Sequence, residues 1–358
     1  MSTYPFPYSQ AARLDSRIKI PRPSYDPVLA PILDSASFAE EFDLDLMRGV
    51  AKGEQQCSHG TFIFNAETII KDKPNLTHTE HSIPGPDNNT VILSVFAPKE
   101  PAKTARPAFY HIHGGGMVSG DRFTAVIQVI DLLQDIDCVF VSVEHRLAPE
   151  TRAPGQAEDC YAGLVWVSEN AASMGIDPAA IIVFGVSGGG ALAAATCLMA
   201  RDRKSPAIPI KAQMLYSPLL DDRCESLSDQ QFEHGNPAST AWIRSIWELI
   251  LGDARGSEEV TPYQAPARAT DLSNLPPAYI DAGECEAFRD PAVAYATNMW
   301  RCGSTCELHI WPGAWHGFDM MDDPDTPLIR IANKAKRNWF RRLMKSETEP
   351  QVAAVSHN

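Results

Sequence analysis

The segment IIVFGVSGGGALAAA, residues 181–195, sets one serine, Ser187, among Gly185, Gly188, Gly189 and Gly190. A serine hydroxyl becomes a nucleophile when a neighbouring base takes its proton, and G-x-S-x-G at a strand-to-helix bend is one way to expose it. The pattern alone is weak. With 22 glycines in 358 residues, it arises by chance in about one similar chain in ten. A second pattern is sharper: His113 is followed by Gly114, Gly115 and Gly116, and H-G-G-G arises by chance in about one such chain in several hundred. Consecutive glycines after a strand let backbone N–H groups converge on one point, where they can hold the charge of a tetrahedral intermediate.

A nucleophilic serine needs a base, and the base needs an orienting acid. In a strand-turn-helix serine site these follow in the order Ser, Asp or Glu, His, each in a loop after a later strand. His316, in AWHGF, follows the strand-like run 306–313, and Glu284, Glu286 and Asp290 follow the run 277–283. His111 and His113 alternate on one strand, but no carboxylate-rich segment accompanies them as an H-x-H metal pair. His309 falls within a strand, and His59, His78, His81, His234 and His357 are expected in irregular, solvent-facing segments. Eight cysteines are scattered along the chain, and the Cys302–Cys306 pair has no second Cys/His pair at zinc spacing. Reduced, mostly buried thiols are the expectation, with no metal.

The elements that must hold these residues are legible in the hydrophobic pattern. Apolar runs at 107–113, 138–145, 181–186, 211–218, 277–283 and 306–313 alternate with helix-like segments at 123–135, 157–173, 188–201, 290–302 and 327–345. Two further strands flank a Pro-Asp-Asn-Asn turn within 77–98. Strands buried on both faces and alternating with helices predict an α/β fold with a doubly wound, mostly parallel sheet. Almost sixty residues separate the runs at 211–218 and 277–283, far more than a crossover needs, so an excursion over one end of the sheet is expected. It contains STAWIRSIWELILG, opened by Ser239 or Thr240, with Trp242, Ile243, Ile246, Trp247 and Ile250 on one stripe. Such a stripe fits a lid, and for any single tryptophan an ordinary packed helix equally well. Near the N-terminus, Phe38, Phe42, Leu46 and Val50 give residues 35–56 a helical spacing.

Bulk properties set the outer limits. A 44% hydrophobic chain of this length builds a substantial core, and 28 prolines imply many loops. A net charge of −14 without a basic patch argues against nucleic acid as a partner. No apolar run approaches the ~18 residues of a membrane span, and the first twenty residues lack a signal-peptide core. A cytoplasmic protein is the expectation.

Taken in order, HGGG, EHRLAPE (144–150), G-x-S-x-G, LPPAYIDAGECEAFRD (275–290) and HGF (316–318) resemble the hormone-sensitive-lipase-like, family IV carboxylesterases of the α/β-hydrolase superfamily, over roughly residues 75–345. The resemblance implies an eight-stranded α/β-hydrolase sheet flanked by helices, with catalytic core parts at 61–221 and 263–345. It implies a helical cap built from 1–60 and 222–262, and residues 346–358 form a tail. Carried over residue by residue, Ser187 matches the nucleophile, His316 the base, and Gly115, Gly116 and the N–H of Gly188 the oxyanion donors. Aligning the family's R-D with Arg289–Asp290 puts Glu286 at the acid position, with Asp290 and Glu284 as alternatives. Trp242, Trp247 and Phe318 are candidate walls of the substrate pocket.

Two motifs depart from the family pattern: G-D-S-A-G-G reads here as Gly185-Val186-Ser187-Gly188-Gly189-Gly190, and D-Y-R-L-A-P-E begins Glu144-His145. These changes suggest a specialised branch. The expected activity is cofactor-independent hydrolysis of small to medium carboxylic esters through an acyl-enzyme on Ser187. The partner is a small-molecule ester, and the resemblance adds a homodimer. A lactonase, acyltransferase or dehydratase using the same site on a secondary metabolite is the alternative. A non-catalytic ligand receptor is disfavoured, because receptors of this family lose the base histidine and His316 is retained.

Overall fold

A computed structural model describes residues 20–35, 41–54, 65–321 and 326–345. Eight strands form one sheet: β1 (Leu76–Pro84), β2 (Thr90–Pro98), β3 (Arg106–Ile112), β4 (Val139–Glu144), β5 (Ile176–Val186), β6 (Ala212–Tyr216), β7 (Ala278–Gly283) and β8 (Cys306–Trp311). Their spatial order is β1-β2-β4-β3-β5-β6-β7-β8. β1 and β2 pair antiparallel, as do β2 and β4, and every other pairing is parallel. The expected α/β-hydrolase sheet is therefore present. β6 and β7 are buried at every position, which is why they read as unbroken apolar runs.

Among the described residues ten α-helices accompany it: α1 (Ala30–Ser35), α2 (Leu44–Ala51), α3 (Ala66–Asp72), α4 (Val126–Leu132), α5 (Gly155–Glu169), α6 (Gly188–Arg203), α7 (Leu227–Gln231), α8 (Thr240–Leu251), α9 (Arg289–Arg301) and α10 (Pro327–Lys345). Alternation along each strand splits the core in two. Tyr110, Ile112, Val183 and Leu215 pack with α5, α6 and α9, while Phe109, Phe184 and Met214 pack with α3, α4 and the Trp339–Phe340 end of α10. Each such side chain stabilises the fold by about 1.5–3 kcal/mol. α6 is alanine-rich because it lies hard against the sheet: a Cβ on Gly189 would sit 2.2 Å from the Ile112 carbonyl oxygen.

Two segments lie above the carboxyl ends of the strands. In the excursion, Ser239 caps α8 by accepting from Trp242 N, and Ile243, Ile246, Trp247 and Ile250 turn inward while Trp242 is half-buried. The base of the excursion is pinned by Asp222, fully buried, which accepts from Arg268 Nε and Nη2 at 2.8 and 2.9 Å and from Gly256 N at 2.7 Å. From the N-terminal side, Arg48 on α2 donates to the carbonyls of Val118 and Ala148 and to Glu150. Phe42 meets Trp242 edge-on at 6.0 Å.

Some expectations need correction. Within residues 41–54 of the 35–56 span, α2 covers Leu44–Ala51, and the Asp43 side chain starts it by accepting from Leu46 N. Phe38, residues 1–19 and the tail from 346 lie outside the described residues. β5 starts at Ile176, five residues early, since Ile176 pairs with Arg106 ahead of a register shift. His78 and His81 are not in irregular segments but on β1. There His78 bonds Ser94 Oγ at 3.1 Å and packs on Phe96.

Candidate active site

The loops that carry the predicted residues leave the same edge of the sheet. β3 ends in the glycine run, β5 in Ser187, β7 in the Glu286 loop and β8 in the His316 loop. Because β3 and β5 are hydrogen-bonded neighbours, with Ile112 paired to Gly185, the oxyanion candidates arrive beside the serine. The carboxyl edge of a parallel sheet is where α/β folds place ligands.

Ser187 occupies φ 57°, ψ −119°, a region disfavoured for a residue with a Cβ and costing on the order of 1–3 kcal/mol. The turn is over-determined: Ser187 N donates to Tyr216 O at 2.8 Å, and Ser187 O accepts from Ala191 N and Leu219 N. This strain lifts the hydroxyl clear of strand and helix. Ser187 Oγ lies 3.1 Å from His316 Nε2, and His316 Nδ1 lies 2.5 Å from Glu286 Oε2. A carboxylate only accepts, so Nδ1 carries the proton and Nε2 is left to accept the Ser187 O–H.

Of the three candidate carboxylates, only Glu286 reaches the imidazole. It is fully buried, and its Oε1 accepts from Gly283 N at 2.6 Å and Ser217 Oγ at 2.8 Å. Asp290 instead accepts from Ser228 N and Arg289 Nε, and Glu284 accepts from Gly313 N. Ser217 escaped the sequence reading. It sits just after β6 with φ 39° and donates its amide to Asp281 O. Its hydroxyl meets Glu286 across 69 positions of chain, and no local motif marks it.

The glycine turn folds back on itself: Gly115 O accepts from Val118 N and Ser119 N. Gly115 has φ +101°, and a Cβ there would lie 2.1 Å from Ser119 O, so no other residue fits. The start of α6 abuts this turn, since a Cβ on Gly188 would fall 2.9 Å from Gly116 N. Among the described residues, the amides of Gly115, Gly116 and Gly188 have no acceptor. Ile246 of α8 covers the turn, lying 3.1 Å from where a Gly116 Cβ would be. The inward stripe of α8 was legible, but its contact with Gly116 was not.

Trp242 is half-buried, whereas Trp247 and Phe318 are buried, Phe318 two residues after His316. The remaining histidines near the glycine turn are structural. His113 stacks on His145 with centroids 4.0 Å apart and rings 7° from parallel. Their Nδ1 atoms donate to Gly114 O and Arg146 O, and His111 pairs with Ser142 Oγ. Burial pushes all three imidazoles down to about 3, so they are neutral near pH 7. Among the described residues, no group of three or more His, Cys, Asp or Glu is arranged to hold a metal ion, and the seven described cysteines are free. No described helix is long and apolar enough to cross a membrane.

A family model described as alpha/beta hydrolase fold matches residues 109–320, a span that contains Ser187, Glu286, His316, Ser217 and the glycine turn. The chain belongs to the hormone-sensitive-lipase-like α/β-hydrolases. Among relatives in this family, esterase LipI of Mycobacterium tuberculosis is 29% identical over 83% of this chain and 88% of its own length. Carboxylesterase NlhH of the same organism is 30% identical over 84% of this chain and 90% of its own. A solved bacterial heroin esterase superposes with a TM-score of 0.77, is 30% identical, and is matched over 89% of this chain and 98% of that one.

Proposed function

We propose that this hydrolase cleaves carboxylic esters of small to medium size through an acyl-enzyme on Ser187. The observation that carries the reading is the continuous hydrogen-bonded line Ser187–His316–Glu286 beside three glycine amides that no acceptor among the described residues engages. His316 Nε2 takes the Ser187 proton as Oγ attacks the ester carbonyl. The oxyanion gathers the N–H groups of Gly115, Gly116 and Gly188. Glu286 offsets the imidazolium charge, His316 protonates the departing alcohol oxygen, and the alcohol leaves. Water then adds to the acyl carbonyl with His316 again as base, and the acid departs, restoring Ser187. No cofactor enters any step.

Esterase and carboxylesterase names among the relatives support the substrate class. Trp242, Trp247 and Phe318 are part of the same proposal as walls of the acyl and alcohol pockets. A homodimer rests on the family resemblance alone. A fluorophosphonate probe tests the reading directly. It should label one site per chain, lost in Ser187→Ala, while the wild type hydrolyses p-nitrophenyl acetate. Labelling retained in Ser187→Ala, or wild-type turnover retained there, overturns the assignment.

A further inference from the structure

Behind the site lies a buried ion cluster that the mechanism above does not use. Lys336, on α10, is wholly buried. Its ammonium donates to Asp319 Oδ2, lies 3.3 Å from Asp281 Oδ2, and stands over the Tyr216 ring at 3.8 Å from the centroid. Asp281 Oδ2 also accepts from Trp311 Nε1 at 3.0 Å. Each neighbour belongs to a different part of the catalytic frame. Asp319 sits in the 3-10 turn Phe318–Met320, three residues past His316. The backbone carbonyl of Asp281 accepts from Ser217 N, whose hydroxyl holds Glu286. The carbonyl of Tyr216 accepts from Ser187 N.

Resting on the reading of Ser187, His316 and Glu286 as a triad, we propose that Lys336 is a positioning residue, clamping the His316 turn through Asp319 against the strands that hold Ser187 and Glu286. Desolvation makes such a cluster a poor device for stability alone. Burying an ammonium and two carboxylates carries a large desolvation cost, and an apolar trio of similar volume is often as stable or more so. A surviving buried cluster is better explained by the geometry it enforces. Gly317, next to His316, has φ +78°, and the turn would otherwise depend on its own short backbone bonds. The clamp uses atoms on β6, β7, α10 and the His316 loop, and so fixes the third triad residue relative to the other two.

The test uses two variants of the full chain. Asp319→Asn keeps the side-chain shape and leaves Lys336 paired with Asp281. The triple variant Lys336→Met, Asp281→Asn, Asp319→Asn removes every charge together, leaving no lone buried ion. Reactive serines are counted with a fluorophosphonate, and kcat is expressed per reactive site. Both variants should lose about 10- to 100-fold in kcat, the scale of a sub-ångström to 1 Å misplacement of a catalytic group, with KM within twofold of wild type. The far-downfield proton resonance expected of the short His316 Nδ1–H to Glu286 bond should broaden or move upfield in both. A kcat per reactive site within twofold of wild type, or an unchanged downfield resonance, overturns the clamp even if melting temperature falls. A rise in KM alone does the same. These failures are distinct from failure of the triad itself, in which the wild type would neither turn over esters nor label at Ser187.

Discussion

Glu286 and Ser217 meet at 2.8 Å, the hydroxyl donating to the carboxylate oxygen that faces away from His316. With Gly283 N on the same oxygen, Glu286 is held by two donors and spends its other oxygen on the imidazole. A glutamate has one more rotatable bond than an aspartate. These two bonds remove that freedom.

The acid assignment predicts a sharp contrast. Glu286→Gln should lower kcat by about 10³- to 10⁴-fold, because an amide no longer offsets the imidazolium and disturbs its tautomer. Asp290→Asn should remain within about threefold of wild type, since its partners are Ser228 and Arg289 in a partly exposed pair. Steady-state kinetics on a p-nitrophenyl ester decide it, and a severe Asp290→Asn would move the acid.

Ser217→Ala removes one donor from a buried carboxylate. A hydrogen bond to a charged group is worth about 1.5–3 kcal/mol, so kcat should fall by about 10- to 100-fold with little change in KM. Ser217→Thr, which keeps the hydroxyl, should recover most of it. Equal rates for Ser217→Ala and wild type would mean Gly283 alone holds Glu286.

Stability should depend on pH through the buried imidazoles. His111, His113 and His145 are pushed down to about 3 by burial, against ~6.5 for an unfolded histidine. Between those values the unfolded chain binds more protons. Their contribution is therefore complete above pH ~6.5 and declines as pH falls, by up to about 1.4 kcal/mol per unit for each imidazole. Melting temperature should drop between pH 7 and 4.5, and His145→Phe should flatten the slope by removing one titrating ring from the stack. Parallel slopes for the variant and wild type would contradict this.

Asp222→Ala should destabilise the fold by about 3–5 kcal/mol, because it strands the Arg268 guanidinium, nearly buried, without its carboxylate. Chemical denaturation measures it. The double variant Asp222→Asn, Arg268→Met should be less affected than Asp222→Ala, and the reverse order would show that the ion pair is not what holds the base of the excursion.

The sheet, the glycine turns and the chain order of the site are legible in the residues alone. Strands such as β6 and β7 declare themselves because burial on both faces writes an unbroken apolar run. Gly115 and Gly189 declare themselves because a backbone that must turn left-handed or touch a carbonyl tolerates no Cβ. Both demands are local, so they are legible without the fold. Tertiary structure decided which carboxylate faces His316 among Glu284, Glu286 and Asp290, close in sequence but engaged with different partners. It also brought Ser217 to Glu286, Ile246 over Gly116, and Lys336 between Asp281 and Asp319. Those pairings join residues distant in the chain, and they exist only because β5, β6, β7 and β8 lie side by side and release their loops at one edge.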